Sequence, residues 1–222
     1  MNFAEIAKVG EEAGGFDFVL ADLGVSSMQI DNPQRGFSFR EDGPLDLRLN
    51  PQAGISAAER LQQVDQEELE GMLVENADEP LARELAKAIL SARRRGKCPQ
   101  TTTQLREIVE QVVAASKPED LKEAVKKTCQ RVFQALRIDV NSEFEVLDAF
   151  LEALPGILKP GGRAAILTFH SGEDRMVKQS FKWYQREGVY SDAAKDVIRP
   201  GAQECASNPR ARSTKMRWAI KA

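Results

Sequence analysis

Two short polar runs hold the side chains that are best suited to chemistry. The first, DLGVSS, contains Asp22, Ser26 and Ser27, and the second contains His170, the only histidine of the chain. A carboxylate, a hydroxyl or an imidazole can accept a proton or hold a reacting group in place. The alternative is that Asp22 only caps a turn and that His170 only packs locally. The residue types alone leave both interpretations open.

Each run follows a segment that has the features of a buried strand. Residues 16–23 (FDFVLADL) and 164–169 (AAILTF) are short, apolar and rich in β-forming residues. Ligands of open α/β sheets bind outside the carboxyl ends of strands, so both polar runs are expected at a binding edge. A helix and then a Pro-Gly-Gly turn over 158–163 lead into the second strand, which is typical of a βαβ-type crossover.

The segment 50–132 between these strands has a helical pattern. Ser56 and Glu59 have the spacing of a capping box, Thr101 opens a further helix, and Pro118 opens the next one. Apolar residues recur at helical spacing between these signals, and no clear strand is visible. The pattern therefore predicts an all-helical subdomain.

The order of these elements predicts an α/β fold with an insertion. Residues 26–49 are rich in Gly, Pro, Asn and Asp, which indicates an ordered loop after the first strand. We expect residues 1–49 and 133–222 to form the sheet-containing core, of which the sequence indicates only the two strands named above. Residues 50–132 form the helical insertion between the two parts of that core.

Composition and cysteine use restrict the class of protein and its compartment. The chain has 31 Lys+Arg and 34 Asp+Glu, a net charge of −3, which excludes a uniformly basic nucleic-acid coat but allows a basic patch. Cys98, Cys129 and Cys205 lie far apart without a CxxC motif, which favours a reducing cytosol and a cytoplasmic location. A single histidine argues against a His-based metal site. No stretch approaches the roughly 20 apolar residues of a membrane span.

Longer motifs resemble those of the MraW/RsmH family, cytosine-N4 methyltransferases that act on small-subunit ribosomal RNA. The similar stretches cover nearly the whole chain in order and lie at 20–48, 101–103, 133–143, 158–175 and 208–217. The resemblance implies a class I (Rossmann-like) methyltransferase fold with a helical insertion. It also implies S-adenosylmethionine as cofactor and small-subunit ribosomal RNA, or the small ribosomal subunit, as partner.

The resemblance implies roles for individual residues as well. The implied cofactor contacts are Phe3, Asp22 and Gln29. The implied catalytic group is Asp22, Ser26, Ser27 and His170. The residues implied to bind RNA or to order the active site are Arg35, Arg40, Arg210, Arg212, Lys215 and Arg217. For Phe3 the alternative is ordinary core packing, and for His170 it is a hydrogen bond to the helix start that follows.

The chain departs from the family pattern in the part that binds the cofactor. Family members begin with a strand, a Gly-rich loop of GGGGH type and a second strand that ends in an acidic residue. Here Gly14 and Gly15 precede a strand, and Gly161 and Gly162 lie in the turn before one. We therefore expect a sheet that is incomplete in its N-terminal half, a truncated chain with impaired activity, and weak binding of S-adenosylmethionine.

Two other functions compete with a methyltransferase of this family. The first is a non-catalytic RNA-binding remnant of the same family, which would share every motif quoted above. The second is a DNA amino-methyltransferase, which is disfavoured because Leu23 and Gly24 stand where a Pro-Pro-aromatic motif is expected. The motifs therefore favour the ribosomal RNA methyltransferase.

An incomplete sheet would leave the strand 16–23 with an open edge. Its only charges are Asp17 and Asp22, one towards each end, and no Pro or Lys interrupts it. Such a strand is a template for pairing with another chain. We therefore expect a homodimer or aggregation through this edge, or coverage of the edge by an N-terminal helix over 4–13.

Overall fold

The computed structural model describes residues 3–222, which form two compact units. The sheet unit consists of the chain up to Gly24 together with Phe144–Ala222. The helical unit consists of Val25–Glu143. Within residues 3–222, no helix combines the length and the apolar character needed to cross a bilayer.

An α/β pattern is interrupted by a long helical stretch. In chain order the elements are α1 (Ile6–Ala13), β1 (Phe16–Asp22), α2 (Ser27–Ile30), α3 (Ala57–Gln63), α4 (Gln66–Ala77), α5 (Ala82–Arg94), α6 (Thr102–Ala115), α7 (Leu121–Asn141), α8 (Glu143–Ile157), β2 (Leu158–Thr168), α9 (Ser171–Arg186), β3 (Tyr190–Ala193), α10 (Ala202–Ser207) and β4 (Lys215–Lys221). Short 3-10 turns occupy Phe3–Glu5, Pro33–Arg35 and Pro209–Ser213.

The sheet unit is built on a mixed four-stranded sheet with the order β1-β2-β4-β3. Strands β1 and β2 are parallel, whereas β4 runs antiparallel to both β2 and β3. Helix α8 leads the chain into β2, as the predicted crossover requires. The core of this unit contains buried side chains from the sheet and from α8 and α9, among them Val19, Leu151, Ile166 and Phe181. The predicted α/β class is confirmed.

The Pro-Gly-Gly segment that was expected to be a turn lies inside β2. The pairing register jumps from Phe16 with Leu158 to Phe18 with Arg163, so several β2 residues bulge away from the ladder. A Cβ atom at Gly162 would lie 2.9 Å from the carbonyl oxygen of Phe16, so only glycine fits this close approach of the two backbones. The prediction of a turn before the strand is therefore wrong, because the strands stay paired across a glycine bulge.

Strand β1 lies at one edge of the sheet and pairs only with β2 among the described strands. Phe18 is 57% exposed and Leu20 is 58% exposed, whereas Val19 between them is buried in the core. Helix α1 packs through Gly10 against Ile157 and leaves both exposed side chains uncovered. The strand therefore has the open edge that the sequence predicts, without the protection of the N-terminal helix.

The helical unit buries the apolar faces of its helices against one another. Helix α7 is central and contacts α3, α4 and α6. The core is mainly aliphatic, and its fully buried members include Leu61, Leu73, Leu85, Ile89 and Leu136. One isolated bridge joins Pro44 to Thr101, and the described residues of this unit form no strand. The helices of this unit therefore pack around one aliphatic core.

Local capping signals place most helix starts where the sequence predicts them. Ser56 caps α3 through a complete capping box, and Thr101 caps α6. The helix expected to open at Pro118 begins instead at Leu121. The side chain of Asp120 accepts a hydrogen bond from a backbone N–H of the first turn and so fixes that start.

The helical unit is wider than the predicted segment 50–132. Leu45 and Leu47, which belong to the predicted loop, are buried in the helical core. At the other end, the Asn141 side chain donates to the Leu47 carbonyl oxygen over 2.8 Å and accepts from the Leu49 N–H over 2.7 Å. These long-range contacts attach both flanks of the predicted segment to the helices.

Candidate active site

The parallel pair β1 and β2 ends where the two polar runs begin. Asp22, whose side chain is exposed, pairs in register with Leu167, three residues before His170. Beyond this point Gly24 has a φ of +96° and passes the ring of Phe169, which lies 3.3 Å from the position of a Cβ at Gly24. The carboxyl edge of the sheet therefore carries Asp22 beside the run that contains His170, as the sequence predicts.

His170 is the N-cap of α9, and its imidazole is largely buried. The backbone N–H of Glu173 donates to Nδ1 over 3.5 Å. Nε2 lies 3.3 Å from Oε1 of Glu173 without hydrogen-bond geometry, and it has no hydrogen-bond partner within residues 3–222. The ring of Phe144 packs beside the imidazole. His170 thus makes the local hydrogen bond that the sequence left as an alternative, and this bond uses only one ring nitrogen.

Glu173 is a buried carboxylate that the sequence analysis missed. Its Oε2 accepts a hydrogen bond from the Phe169 N–H over 2.9 Å, which ties the start of α9 to the end of β2. A signal for this role was present, because Glu173 stands three residues after His170, at the acidic position of a capping box. The two hydrogen bonds of Glu173, to Phe169 and to His170, fix the orientation of His170 at the edge of the sheet.

Ser26, Ser27 and Gln29 lie in the helical unit, at the short helix α2. Ser26 Oγ accepts from the Gln29 N–H over 3.3 Å, and Gln29 Oε1 accepts from the Ser26 N–H over 2.9 Å. Ser27 is exposed at the first position of the helix. The capping box therefore occupies the amide oxygen of Gln29 but neither its NH2 group nor the hydroxyl of Ser27.

Phe3, an expected cofactor contact, lies in the sheet unit and is 40% exposed. Its ring meets Phe150 edge to face, with the ring centroids 5.5 Å apart. The contact with Phe150 fits the packing alternative, while the exposed part of the ring can still stack on a base. The structure therefore accommodates both interpretations of Phe3.

Arg217, an expected RNA contact, is anchored inside the sheet unit. It is 5% exposed, and its Nε and Nη2 donate to the two carboxylate oxygens of Asp174 over 2.7 Å and 3.2 Å. The Lys215 amine lies 3.8 Å from the same carboxylate. Burial by itself would raise the pKa of Asp174, but the hydrogen bond and charge of Arg217, with the charges of Lys215 and Lys178, hold this pKa below its ordinary value. The cluster fastens β4 to α9.

The other basic residues of the expected RNA surface differ in their exposure. Arg35 Nη2 donates to the carbonyl oxygens of Arg48 and Leu49 over 2.7 Å and 3.0 Å, which orders the loop after α2. The exposed members of the set are Arg40 in the helical unit, and Arg210 and Arg212 in the sheet unit.

A cavity of about 480 Å³ lies away from these residues. It is lined by α1 and by residues around the start of β2, including Gly10, Ile157 and Lys159. Neither Asp22 nor His170 lines it. The candidate active site is therefore an open edge of the sheet rather than this cavity.

A model of the MraW methylase family matches residues 1–222. The chain belongs to the MraW methylase family. This membership agrees with the α/β, Rossmann-like architecture of the sheet unit and with the parallel pair that carries Asp22. The family resemblance of the motifs is therefore confirmed over the whole sequence.

Relatives of the chain are named as ribosomal RNA methyltransferases. "Ribosomal RNA small subunit methyltransferase H 1" of Agathobacter rectalis is 67% identical over 221 residues, which cover 100% of this chain and 63% of that protein. The protein of the same name from Lachnoclostridium phytofermentans is 66% identical, with 61% of its length covered. "Ribosomal RNA small subunit methyltransferase H" of Acidobacterium capsulatum is 41% identical over 95% of this chain and 68% of its own length. The chain thus spans less than two thirds of the first two relatives.

Proposed function

We propose that this chain carries the methyl-transfer site of an enzyme that methylates the N4 amine of a cytosine in small-subunit ribosomal RNA, with S-adenosylmethionine as methyl donor. The observation that carries the proposal is the pairing of β1 with β2, which sets Asp22 beside the run that contains His170. The names of the relatives support the RNA substrate. The free thiols Cys98, Cys129 and Cys205 support a reducing, cytoplasmic location.

The described residues fit S-adenosylmethionine in part. The exposed carboxylate of Asp22 suits the adenine amine or the cationic methionine end of the cofactor, and the exposed part of Phe3 suits a base. The NH2 group of Gln29 offers a further donor. Neither glycine pair follows a strand as the Gly-rich loop of the family does. Gly14 and Gly15 precede β1, and Gly161 and Gly162 lie in the β2 bulge. Weak cofactor binding by this chain is therefore part of the proposal.

The chemistry asks the protein to position an amine and to accept its proton. When bound, S-adenosylmethionine supplies an electrophilic methyl group. The cytosine amine is a poor nucleophile because its lone pair is delocalised into the ring, so it must be held in line for attack. In this proposal Asp22 stabilises the positive charge that develops on the nitrogen. His170 contacts the base or takes up the proton, which requires its buried imidazole to give up the hydrogen bond from the Glu173 N–H to Nδ1, the acceptor nitrogen of the neutral ring. The hydroxyls of Ser26 and Ser27 help to orient the base.

The basic residues divide into two proposed roles. The target cytosine has to leave its stack to reach the site, so the flanking phosphates need cationic partners. Arg40, Arg210 and Arg212 are the proposed phosphate contacts. Arg35, Lys215 and Arg217 contact protein carbonyl or carboxylate groups, and we assign them to ordering the site. In the alternative, a non-catalytic RNA-binding remnant, the same residues contact RNA but no methyl group is transferred.

The test compares Asp22→Ala with Asp17→Ala in a methyl-transfer assay. Radiolabelled S-adenosylmethionine and small ribosomal subunits are incubated with each protein, and N4-methylcytidine is measured in the digested RNA. The unchanged chain should transfer slowly, and Asp22→Ala should lower the rate about 100-fold or more, since Asp22 acts on the developing charge. Asp17 is the matched control, because it is exposed near the other end of β1 and pairs with Lys159.

Three outcomes of these measurements would count against parts of the proposal. Transfer by Asp22→Ala within a few-fold of the unchanged chain would reject the central role of Asp22, provided that circular dichroism shows an intact fold. RNA binding by the unchanged chain without any transfer would favour the non-catalytic remnant. Calorimetric titration that gave micromolar binding of S-adenosylmethionine, about −8 kcal/mol, would contradict the expected weak affinity.

A further inference from the structure

Helix α5 and the turn that follows it form the most basic stretch of the helical unit. Residues 82–97 contain six Lys or Arg residues and one acidic residue, Glu84, in a chain whose net charge is −3. Arg83, Lys87 and Arg94 stand at positions i, i+4 and i+11 of α5, so they project from one side of the helix. All three side chains are exposed. We call this group the α5 basic face.

The three residues of the α5 basic face differ from Arg93, which serves the fold. Arg93 Nη1 donates to the carbonyl oxygens of Leu61 and Val64 over 3.1 Å and 2.6 Å. In residues 3–222, by contrast, no carboxylate forms an ion pair with any member of the α5 basic face, and no side-chain hydrogen bond involves one. The charge of this face is therefore left for an external partner or for solvent.

Helix stability does not account for this arrangement. Cations near the C-terminus of a helix complement its dipole, which would explain Arg94. Arg83 lies at the second position of α5, where a cation opposes the dipole. Complementing the helix dipole therefore explains Arg94 but not Arg83.

A second lysine-rich helix of the same unit provides the contrast. Helix α7 carries Lys122, Lys126 and Lys127 in its first turns. Glu123 lies 3.1 Å from the Lys126 amine and 3.8 Å from the Lys127 amine, so much of this charge is neutralised locally. Two helices with similar numbers of cations thus differ in whether the cations are paired.

We infer that the α5 basic face binds the phosphate backbone of the RNA substrate. The inference rests on the proposed function for the identity of the partner. Three exposed cations on one rigid helix span about 16 Å, which suits a run of phosphates rather than a single small anion. Contacts of this kind position the RNA without reading its sequence.

The experiment measures RNA binding without S-adenosylmethionine, so that it does not depend on methyl transfer. A fluorescently labelled fragment of small-subunit ribosomal RNA is titrated with the 222-residue chain at several salt concentrations. The variant R83A/K87A/R94A should bind roughly tenfold or more weakly at low salt. The slope of log K against log salt is negative, and for this variant it should become shallower by about 2, since each lost phosphate contact on a single strand contributes about 0.7.

The matched control is K122A/K126A/K127A, which removes the same charge from α7 and should change affinity less than about threefold. Circular dichroism confirms that both variants fold. Equal weakening by both variants would overturn the inference, because it would show a general effect of charge. An unchanged affinity of the α5 variant, or the absence of RNA binding by the unchanged chain, would also overturn it.

Two further results separate this inference from neighbouring ideas. Binding to phosphatidylglycerol vesicles through Arg83, Lys87 and Arg94, without binding to RNA, would assign the face to a membrane and overturn the inference. RNA binding through the α5 basic face by a chain that transfers no methyl group would support the inference, although the proposed catalytic function would then fail.

Discussion

The helical unit and the sheet unit each have a buried apolar core, but they differ in the elements that border it. In the helical unit, Leu73, Leu85, Ile89 and Leu136 are completely enclosed by neighbouring helices. In the sheet unit, α8 and α9 cover a well-packed core, but the edge strand β1 leaves Phe18 and Leu20 more than half exposed. One unit has a closed core, and the other presents an apolar strand to its surroundings.

The difference follows from how each kind of element satisfies its backbone. A helix forms its backbone hydrogen bonds internally, so a bundle needs only side-chain packing to be complete. A strand needs a neighbour on each side to pair all of its backbone groups, and within residues 3–222 β1 pairs with β2 alone. Its second row of N–H and C=O groups can pair with another strand. A unit built on an edge strand is therefore open to association in a way that the helical unit is not.

The largest effect should come from a cavity in the closed core. Leu136→Ala should lower the free energy of unfolding by about 2–5 kcal/mol, because the surrounding helices cannot collapse fully onto the space left behind. Leu20→Ala, the same chemical change on the exposed face of β1, should stay within about 0.5 kcal/mol. Urea unfolding followed by circular dichroism measures both. Similar losses would show that β1 is as well covered as the helical core.

A smaller effect is expected from the ion pair that fastens β4 to α9. Asp174→Asn should cost about 1.5–3 kcal/mol of unfolding free energy, because the buried Arg217 loses a charged acceptor while the amide keeps one oxygen. The pKa of Asp174 is lowered in the folded state. The stability it contributes is therefore present above its unfolded pKa of about 3.9 and is lost as pH falls through the folded pKa.

The difference in unfolding free energy between the unchanged chain and Asp174→Asn should accordingly shrink below about pH 4. Thermal unfolding at a series of pH values measures this difference. Asp17→Asn is the control, because Asp17 is an exposed aspartate of the same unit whose ion pair with Lys159 lies at the surface. A pH-independent difference between Asp174→Asn and the unchanged chain would mean that the carboxylate charge contributes nothing there.

The smallest effect concerns self-association through β1. If two copies pair antiparallel around Val19, Phe18 of one copy faces Leu20 of the other, and the aspartates at the strand ends do not oppose each other. We propose a homodimer of this kind. Leu20→Lys should weaken it about tenfold, since a charged side chain blunts an edge strand. Light scattering during size-exclusion chromatography at rising concentration measures the association.

Val74→Lys is the control for charge, because Val74 is also an exposed apolar residue but lies on a helix of the helical unit. It should leave the association unchanged. An unchanged chain that stays monomeric at high concentration would contradict the homodimer.

Local signals in the sequence determined the type of most elements and the edge of the sheet at which the candidate site lies. Ser56 and Thr101 marked helix starts correctly, because capping is a hydrogen bond between residues three apart. The strands that precede Asp22 and His170 were predictable because short apolar runs form buried strands. The motifs around them also indicated the family, which the match over the whole chain confirms.

Only the tertiary structure decided how distant residues combine. The sequence left open whether Arg217 binds RNA or orders the active site, and the structure pairs it with Asp174, 43 residues away, because strand β4 lies against α9. Leu45 belongs to a loop by composition and to the helical core by packing. The glycine-rich turn became a bulge because β1 holds the strand on both sides of it. In each case the deciding contact joins residues far apart in the chain, and a local pattern carries no information about which partner packing will supply.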